Sequence, residues 1–380
     1  MIRILSNGII AAVAMLLCVS CGSKEATVEV VSLNGEDVYV CDISQVKDSV
    51  NLPLSSLVES IHIVKLDTAR EALFKWGQCA ISDNYIGIAS SQQPYKLFSK
   101  NGKFLRNIGA VGKGPGEYLN IYCSQIDEKN NKIYLLPWQS GNLLCYNLEG
   151  EALGTIPMAD MMPKGNFQVK NDKVTAFSLP FPGSRYFAWY EDMEGNVKHA
   201  VPSEKYIVPT GYFSNEIYSL FNTDLPDVYV FRWEAIQDSL YRYDGNTGRL
   251  IPRFTMVYPG KVPMHAYYEL PNHFYAEIME FDGRSGVTNR HSLIIDKNNK
   301  KVTWGKIVDD LFVEGGEVWP WSLKNSMYVQ DFPAITLIDN LEKMLKRDDV
   351  APAVRKQAED ILKQLDENDN NVIVWGKLKN

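Results

Sequence analysis

The residue types that carry most enzyme chemistry are spread thinly through this sequence. The five histidines lack HExxH or any other paired spacing, and no GxSxG nucleophile motif is present; they are His62, His199, His265, His273 and His291. Beyond Cys21, the remaining cysteines form no CxxC pair and have no adjacent histidine; they are Cys41, Cys79, Cys123 and Cys145. We therefore predict no metal ligands, no catalytic residues and no cofactor. Buried free thiols are favoured over one disulfide.

A glycine-rich segment, Gly112–Gly116, is the best candidate for a phosphate-binding loop. A Walker A loop ends in Gly-Lys-Ser or Gly-Lys-Thr at the start of a helix, whereas Lys113 is followed by Gly-Pro. The residues after Tyr118 alternate like a strand, so no helix N-terminus follows that would bind an anion. We predict instead a tight connection between two strands, in which the Glu117 carboxylate accepts backbone N–H bonds.

The N-terminal segment has the features of an export signal. Met1–Arg3 is positively charged, and the apolar run Ile9–Leu17 is shorter than the roughly 20 residues that span a bilayer. The following Val19–Gly22 resembles the bacterial lipobox, in which a cysteine thiol is lipidated. We predict a signal peptide over residues 1–20, a lipid on Cys21, and anchoring in the cell envelope, with the outer membrane favoured. An exported protein cleaved by the ordinary signal peptidase is the alternative.

A two-part pattern repeats at intervals of 41 to 54 residues. Polar turn residues precede an alternating apolar strand at six places, marked by Ile86, Ile133, Val174, Val228, Phe274 and Met327. After the first five, a second strand runs into a turn rich in Gly and Asn, which tolerate the positive φ of tight hairpins. Two hairpins at this interval are typical of a propeller blade. The sequence thus predicts an all-β fold, a six-bladed β-propeller of four-stranded antiparallel blades, rather than an irregular β-sandwich.

The two ends of the chain are expected to close the ring. Residues 60–66 alternate as a strand and are predicted to complete the blade built by the C-terminal strand at 371–378. Before that closing strand, helical spacing of apolar residues predicts a small inserted helical pair at about 337–366. The predicted organisation is completed by an N-terminal tether over 21–45 and the propeller over 46–380.

Several of these segments resemble a known family. The glycine-rich stretch Ile108–Tyr118, directly after the hairpin Asn101–Phe104, is similar to the signature of six-bladed β-propeller lipoproteins related to NHL-type propellers. The strand Ser60–Thr68 and the acidic turn Asp366–Asn370 also resemble that family. The resemblance spans roughly residues 50–380 and implies the fold and an envelope location. The family has no agreed activity, so the resemblance implies no catalytic residues.

Propeller geometry narrows the candidate binding surface. Blade-to-blade connections and the loops after each blade's second strand gather on one face, where ligands usually bind. Aromatic, arginine and carboxylate side chains in these connections are the ligand-binding candidates: Arg185, Trp233, Arg284, Arg290, Trp319, Trp321, Glu117 and Tyr118. Such side chains can stack on sugar rings or hold an anionic glycan or peptide. Core positions are favoured for most of the eight tryptophans.

Charge and motif content limit the function classes. With 39 basic and 46 acidic residues the net charge is −7, which disfavours nucleic acid as a partner. We predict a non-catalytic module, held at the membrane by its lipid, that binds a glycan, a peptide or an envelope protein. The alternative is a hydrolase or lyase with a metal-dependent site in the central channel, whose ligands would come from different blades. A scaffold in an envelope complex is the third interpretation.

Overall fold

The computed structural model describes residues 26–211, 214–282, 286–311, 316–350 and 352–380. Cys21, the predicted lipidation site, and Arg284, a predicted binding residue, lie outside these ranges. The described chain is dominated by antiparallel β-sheet, as the alternating pattern predicts. None of the helices in these ranges has the length and apolarity needed to cross a membrane.

Three antiparallel sheets, each of four consecutive strands, come first along the chain. Sheet 1 contains Gln78–Ile81, Tyr85–Ala89, Tyr95–Ser99 and Phe104–Ile108; sheet 2 contains Ile121–Asp127, Lys132–Pro137, Ser140–Tyr146 and Ala152–Met162; sheet 3 contains Gly165–Lys170, Lys173–Ser178, Tyr186–Asp192 and Val197–Pro202. Gly102, Gly150 and Gly195 turn the third strand of each sheet into the fourth with φ of 90°, 88° and 79°. Glycine suits this backbone, so the predicted hairpin turns are confirmed at these positions.

Three further large sheets complete the main series. Sheet 4 contains Glu216–Tyr218, Asp227–Phe231, Leu240–Asp244 and Arg249–Val257, extended by Glu36–Asp42 and Glu29–Leu33; sheet 5 contains Met264–Glu269, His273–Asp282, Gly286–Asp296 and Val302–Trp304; sheet 6 contains Leu323–Lys324, Met327–Phe332, Val372–Lys377 and His62–Lys65. In sheet 6, Ile373 pairs with Val64 and Val374 with Ile63 in antiparallel register. The N-terminal strand therefore completes the C-terminal sheet, as the sequence predicts.

Most of the segment predicted as a tether, residues 21–45, forms strands of the propeller. Glu36–Asp42 pairs in parallel with Arg249–Val257, and Glu29–Leu33 adds a further antiparallel strand. The physical reason is apolar burial: Val38, Val40 and Cys41 are each at most 4% exposed. These two strands make sheet 4 six-stranded and cover an edge that would otherwise be open.

The predicted count of six blades is wrong by one sheet. A short three-stranded sheet, formed by Leu52–Pro53, Ile307–Asp309 and Gly316–Glu317, follows sheet 5 along the chain. With it, the described residues contain seven sheets of three or more strands. Its strands have only two or three residues each, too short to produce a recognisable repeat in the sequence. The fold is a β-propeller of mainly four-stranded antiparallel blades.

Two helices are inserted between the second and third strands of sheet 6. They span Ala334–Leu345 and Pro352–Leu362, so the first begins three residues earlier than the helical spacing indicates. Leu337, Leu341 and Met344 form the buried stripe of the first helix. The remaining short elements include one helical turn, Leu54–Leu57, and a two-stranded parallel sheet formed by Ala110–Val111 and Glu117–Tyr118. Three 3-10 turns span Ile43–Gln45, Glu128–Asn130 and Pro320–Ser322.

Candidate functional site

The strand connections of the large sheets divide the ring into two faces. Apart from the parallel pair that Glu36–Asp42 forms in sheet 4, adjacent strands of the large sheets are antiparallel, so successive connections alternate between opposite ends of each sheet. We call the side that carries the first–second and third–fourth strand hairpins the hairpin face. The other side, which carries the second–third strand connections and the sheet-to-sheet connections, is the loop face. All the ligand-binding candidates are predicted from the sequence to lie in loop-face connections.

Exposed apolar side chains are concentrated on the loop face. Among the described residues, 14 large hydrophobic side chains are exposed, and 12 of them lie in or at the ends of connections between second and third strands or between consecutive large sheets: Leu73, Trp76, Val111, Leu119, Trp138, Met161, Ile207, Ile236, Phe281, Val287, Trp321 and Ile335. Trp76, Trp138 and Trp321 are 63%, 51% and 52% exposed, whereas the sequence favours a core position for most tryptophans. An exposed apolar surface of this kind is characteristic of an interaction site.

Trp321 is the outer member of a three-layer stack. The indole rings of Trp319 and Trp321 are 4.7 Å apart and nearly parallel, with an interplanar angle of 9°. The Arg290 guanidinium lies over the Trp319 ring, 4.3 Å from its centroid. Both neighbours are within stacking distance of one ring, so they occupy opposite sides of Trp319. Pro320 begins a 3-10 turn here and keeps the segment out of a strand, as the sequence predicts.

A buried carboxylate lies directly behind this stack. Glu277, on the second strand of sheet 5, places Oε1 3.5 Å from Nη1 of Arg290, and its Oε2 accepts a 3.0 Å hydrogen bond from the Tyr268 hydroxyl. Burial raises the pKa of Glu277, while the positive charge of Arg290 opposes that shift. Glu277 is not among the residues predicted from the sequence. A charged residue inside the apolar run Phe274–Met279 is the signal that could have found it, because an isolated carboxylate is rarely buried without a partner.

Polar side chains from well-separated sheets meet at the inner strands. The Tyr122 hydroxyl donates a 2.5 Å hydrogen bond to Glu216, which also pairs with Lys164 at 3.1 Å. Lys324 of sheet 6 donates a 3.0 Å hydrogen bond to the Asn166 side chain of sheet 3. Sheets 3 and 6 are separated by sheets 1 and 2 on one side of the ring, and by sheets 4 and 5 and the three-stranded sheet on the other. The contact between Lys324 and Asn166 therefore links two sheets across the axis, and the contact between Tyr122 and Glu216 links sheets 2 and 4 past sheet 3.

Trp233 and Arg185 lie in other parts of the loop face. Trp233 packs edge-on against Phe281 with ring centroids 4.4 Å apart, and its backbone N–H donates to Oδ1 of Asn215 at 2.8 Å. Trp233 thus joins a loop of sheet 4 to the end of a sheet 5 strand. The Arg185 side chain is 64% exposed and 3.9 Å from the carboxylate of Asp160. Neither of these two predicted residues contacts the Trp319–Trp321 stack.

Glu117 and Tyr118 have structural roles, Glu117 as an exposed residue and Tyr118 as a buried one. Glu117 accepts a 2.8 Å hydrogen bond from the Gly114 N–H, which is the loop-fixing contact that the sequence predicts. Tyr118 is 3% exposed, and its hydroxyl accepts a hydrogen bond from the Tyr95 N–H at 2.6 Å. The side chain of Tyr118 is therefore part of the core between sheets 1 and 2. Its placement among the binding candidates is a misassignment, because an aromatic residue after a glycine-rich turn can face either way.

The described residues lack the grouping of side chains that a metal site needs. They contain no group of three or more His, Cys, Asp or Glu side chains placed to hold a metal ion. His265 is 3% exposed, and its Nδ1 is 2.8 Å from the Pro263 carbonyl oxygen. Burial lowers the pKa of His265 to about 4, so its ring is neutral at physiological pH. Cys41, Cys123 and Cys145 are buried free thiols, and Cys79 is a half-buried one.

With the fold and the loop face described, the chain can be placed among known proteins. Residues 38–377 match the family model described as a domain of unknown function, DUF4934. The chain belongs to the DUF4934 family. A solved structure from Bacteroides fragilis NCTC 9343, a protein inferred to be exported, matches with a TM-score of 0.60 and 16% identity. The match covers 88% of this DUF4934 chain and 99% of that one, and at this identity it shows the fold alone.

A second solved structure gives a weaker match. It is a member of the duf4221 family from Bacteroides vulgatus, with a TM-score of 0.45 and 11% identity, covering 94% of this chain and 99% of that one. No curated protein matches the chain.

Proposed function

We propose that this DUF4934 protein is an exported, lipid-anchored β-propeller that binds a ligand at its loop face without catalysing a reaction. The observation that carries the proposal is the placement of 12 of the 14 exposed large hydrophobic side chains of the described residues in loop-face connections. Scattered exposed apolar residues are ordinary on soluble proteins, but a concentration of them marks a site of association. The inferred export of the Bacteroides fragilis protein with this fold supports an envelope location.

The inner-strand contacts favour binding over channel-centred catalysis. Glu216 is held by both Tyr122 and Lys164, and Lys324 is held by Asn166. These polar groups satisfy one another, whereas a catalytic set must leave a reactive group facing the substrate. The alternative hydrolase or lyase would need a ligand-accessible set at this position.

Site-specific photo-crosslinking in cells tests the proposed face and does not require the ligand to be identified first. A benzophenone amino acid replaces Trp138 or Trp321 on the loop face, and Leu153 on the hairpin face serves as the matched control because it is 52% exposed. We expect adducts of higher mass from the two loop-face positions and none from Leu153. Adducts from Leu153 alone would overturn the proposal.

Lipid attachment is tested by two cysteine substitutions. Cys21→Ala is expected to abolish incorporation of a labelled fatty acid and to move the protein to the soluble fraction. Cys18→Ala is the matched control, because Cys18 lies three residues earlier in the same segment. Unchanged labelling of Cys21→Ala, or loss of labelling only in Cys18→Ala, would contradict the proposed anchor.

A further inference from the structure

Three loop-face connections of sheets 1 and 2 meet at Asn120. Its side-chain Oδ1 accepts hydrogen bonds from the Ser91 hydroxyl at 3.0 Å and from the Gln92 N–H at 3.2 Å. Its backbone carbonyl accepts a 3.0 Å hydrogen bond from the Trp138 N–H. The backbone nitrogens of Gln92 and Trp138 are thus bonded to two oxygens of one residue and lie within roughly 12 Å of each other. We call the residues brought together here the Asn120 surface: Ser91, Gln92, Leu119, Asn120, Trp138 and Gln139.

The apolar and amide side chains of the Asn120 surface are accessible to a ligand. Trp138 and Leu119 are 51% and 49% exposed. Gln92 and Gln139 are also exposed, and their side-chain amides make no hydrogen bond within the described part of the protein. An indole and two amides are therefore presented to the solvent on loops whose backbones are fixed to one another through Asn120.

The backbone conformation of the two glutamines sets them apart from ordinary surface residues. Gln92 and Gln139 each lie in the second–third strand connection of their sheet, and both have a φ of 55°. Glycine or asparagine adopts this left-handed conformation at lower cost, and in the hairpins of the same two sheets the positive φ belongs to Gly102, Asn131 and Gly150. Residues held in an unfavourable backbone conformation cluster at functional sites. The amide is therefore the feature of these two positions that the backbone does not explain.

The Asn120 surface carries no charge of its own. Residues 90–95, 118–122 and 137–142, which contain it, include no Asp, Glu, Lys, Arg or His, although 22% of the chain is charged. A charged ligand would lose hydration here without gaining a counter-charge. A neutral polar ligand would keep its hydrogen bonds, because each amide offers two N–H donors and an acceptor oxygen.

An oligosaccharide matches both the apolar and the polar parts of this surface. A pyranose ring has an apolar C–H face, which can lie on the exposed indole of Trp138, and hydroxyl groups around its edge. Each hydroxyl both donates and accepts, so it can pair with either end of an amide. We propose that Trp138, Gln139 and Gln92 form a binding site for a neutral oligosaccharide. This inference rests on the proposed function, because it names a ligand class for the loop face.

Binding of the full mature protein to an array of neutral hexose and pentose oligosaccharides, paired with their uronic acid counterparts, tests the inference. Calorimetry on the best neutral oligosaccharide then gives the affinity of each variant. Trp138→Ala should weaken binding about tenfold, the value of one aromatic stacking contact. Trp321→Ala is the matched control, a loop-face tryptophan that is 52% exposed and lies outside the Asn120 surface, and should change affinity less than about twofold.

A glycine substitution separates the role of the amide from that of the loop. Gln139→Gly removes the amide without straining the backbone, because glycine adopts a φ of 55° freely. We expect affinity to fall about three- to tenfold, the value of one hydrogen bond, while the midpoint of urea denaturation stays close to that of the unchanged protein. Asn171→Gly is the matched control, since Asn171 is exposed on the hairpin face with a φ of 53°, and should leave affinity unchanged.

Three results would overturn the oligosaccharide site. They are preferential binding of uronates by the unchanged protein, equal losses of affinity in Trp138→Ala and Trp321→Ala, and unchanged affinity in Gln139→Gly.

The two proposals can fail separately. Loop-face crosslinks in cells together with no binding to any neutral oligosaccharide would overturn the oligosaccharide site and leave the binding function standing, with a protein partner as its ligand. Absence of both loop-face crosslinks and oligosaccharide binding would overturn the two proposals together. Crosslinks from position 138 together with neutral oligosaccharide binding that depends on Trp138 would support both.

Discussion

Glu191 is a buried carboxylate whose ionisation couples the stability of the propeller to pH. Its side chain is fully buried, and Oε2 accepts a 2.9 Å hydrogen bond from the Ala159 N–H of the neighbouring sheet 2. Burial raises the pKa of Glu191 to about 7, and the nearby Asp192 charge acts in the same direction. The folded protein therefore holds a proton on Glu191 at pH values where the unfolded chain has lost it.

This shift predicts a stability difference between mildly acidic and alkaline pH. Because the pKa of Glu191 is raised in the folded protein, its contribution to stability is fully present below pH 4.5, the ordinary pKa of a glutamate. That contribution is lost as the pH rises through about 7. Glu191→Gln should therefore reduce the loss of unfolding free energy between pH 5 and 8 by roughly 2–3 kcal/mol. Urea denaturation at pH 5 and at pH 8 measures this change in unfolding free energy, and Glu194→Gln, at an exposed position, is the control. An unchanged pH dependence in Glu191→Gln would refute the assignment.

Single residues show what the sequence could and could not predict about the site. Glu117 was predicted correctly as a loop-fixing carboxylate, because its partner Gly114 is three residues away. The sequence predicts Trp319 and Trp321 as binding candidates, because the proline between them disfavours a central strand. Glu277 was missed because its partner Arg290 lies on the next strand of the sheet, and that pairing is visible only once the register is known.

At the scale of the element, closure of sheet 6 depends on strands from both ends of the chain. Ile373 lies on the third strand and is fully buried, with Val64 of the N-terminal strand as its register partner. Ile373→Ala should lower the unfolding free energy by about 2–4 kcal/mol, because it leaves a cavity in the core. The matched control Leu153→Ala, at an exposed site, should change it by less than about 0.5 kcal/mol. Equal losses of unfolding free energy in Ile373→Ala and Leu153→Ala, measured by urea denaturation, would contradict closure through this strand.

The elements that were predicted well have strong local signals. The hairpins of sheets 1 to 3 place glycine at the required positive φ, and the second inserted helix begins at Pro352, where proline is favoured. The strand Glu36–Asp42 was assigned to a tether because its partner lies more than 200 residues later, at Arg249–Val257. Such a parallel pairing has no local turn to indicate it.

At the scale of the molecule, the repeat predicted a propeller but not the number of sheets. The extra three-stranded sheet combines Leu52–Pro53 with two segments near residue 310, so no single stretch of sequence contains it. The contacts across the axis were equally hidden, since Lys324 and Asn166 are 158 positions apart. The loop face was predictable in outline because strand alternation alone determines which connections share a side.

The same geometry predicts how the protein is oriented if Cys21 carries the proposed lipid. Residues 26–28 pair with the third–fourth strand hairpin of sheet 5: the Val28 N–H donates to the Lys300 carbonyl at 2.9 Å, and the Val302 N–H to that of Ala26 at 3.0 Å. A lipid on Cys21 would be separated from Ala26 by at most about 18 Å of extended chain. The hairpin face near Asn299 should therefore lie close to the membrane, with the loop-face tryptophans directed away from it.

Quenching by brominated lipids measures this orientation in proteoliposomes. In the lipidated protein, a fluorophore is attached to Asn299→Cys on the hairpin face or to Trp138→Cys on the loop face. Both positions are exposed. Quenching should be strong at position 299 and weak at position 138, because quenching by bromine requires near contact. Stronger quenching at position 138 would show that the loop face contacts the membrane, and the exposed tryptophans would then be lipid contacts instead of a ligand site.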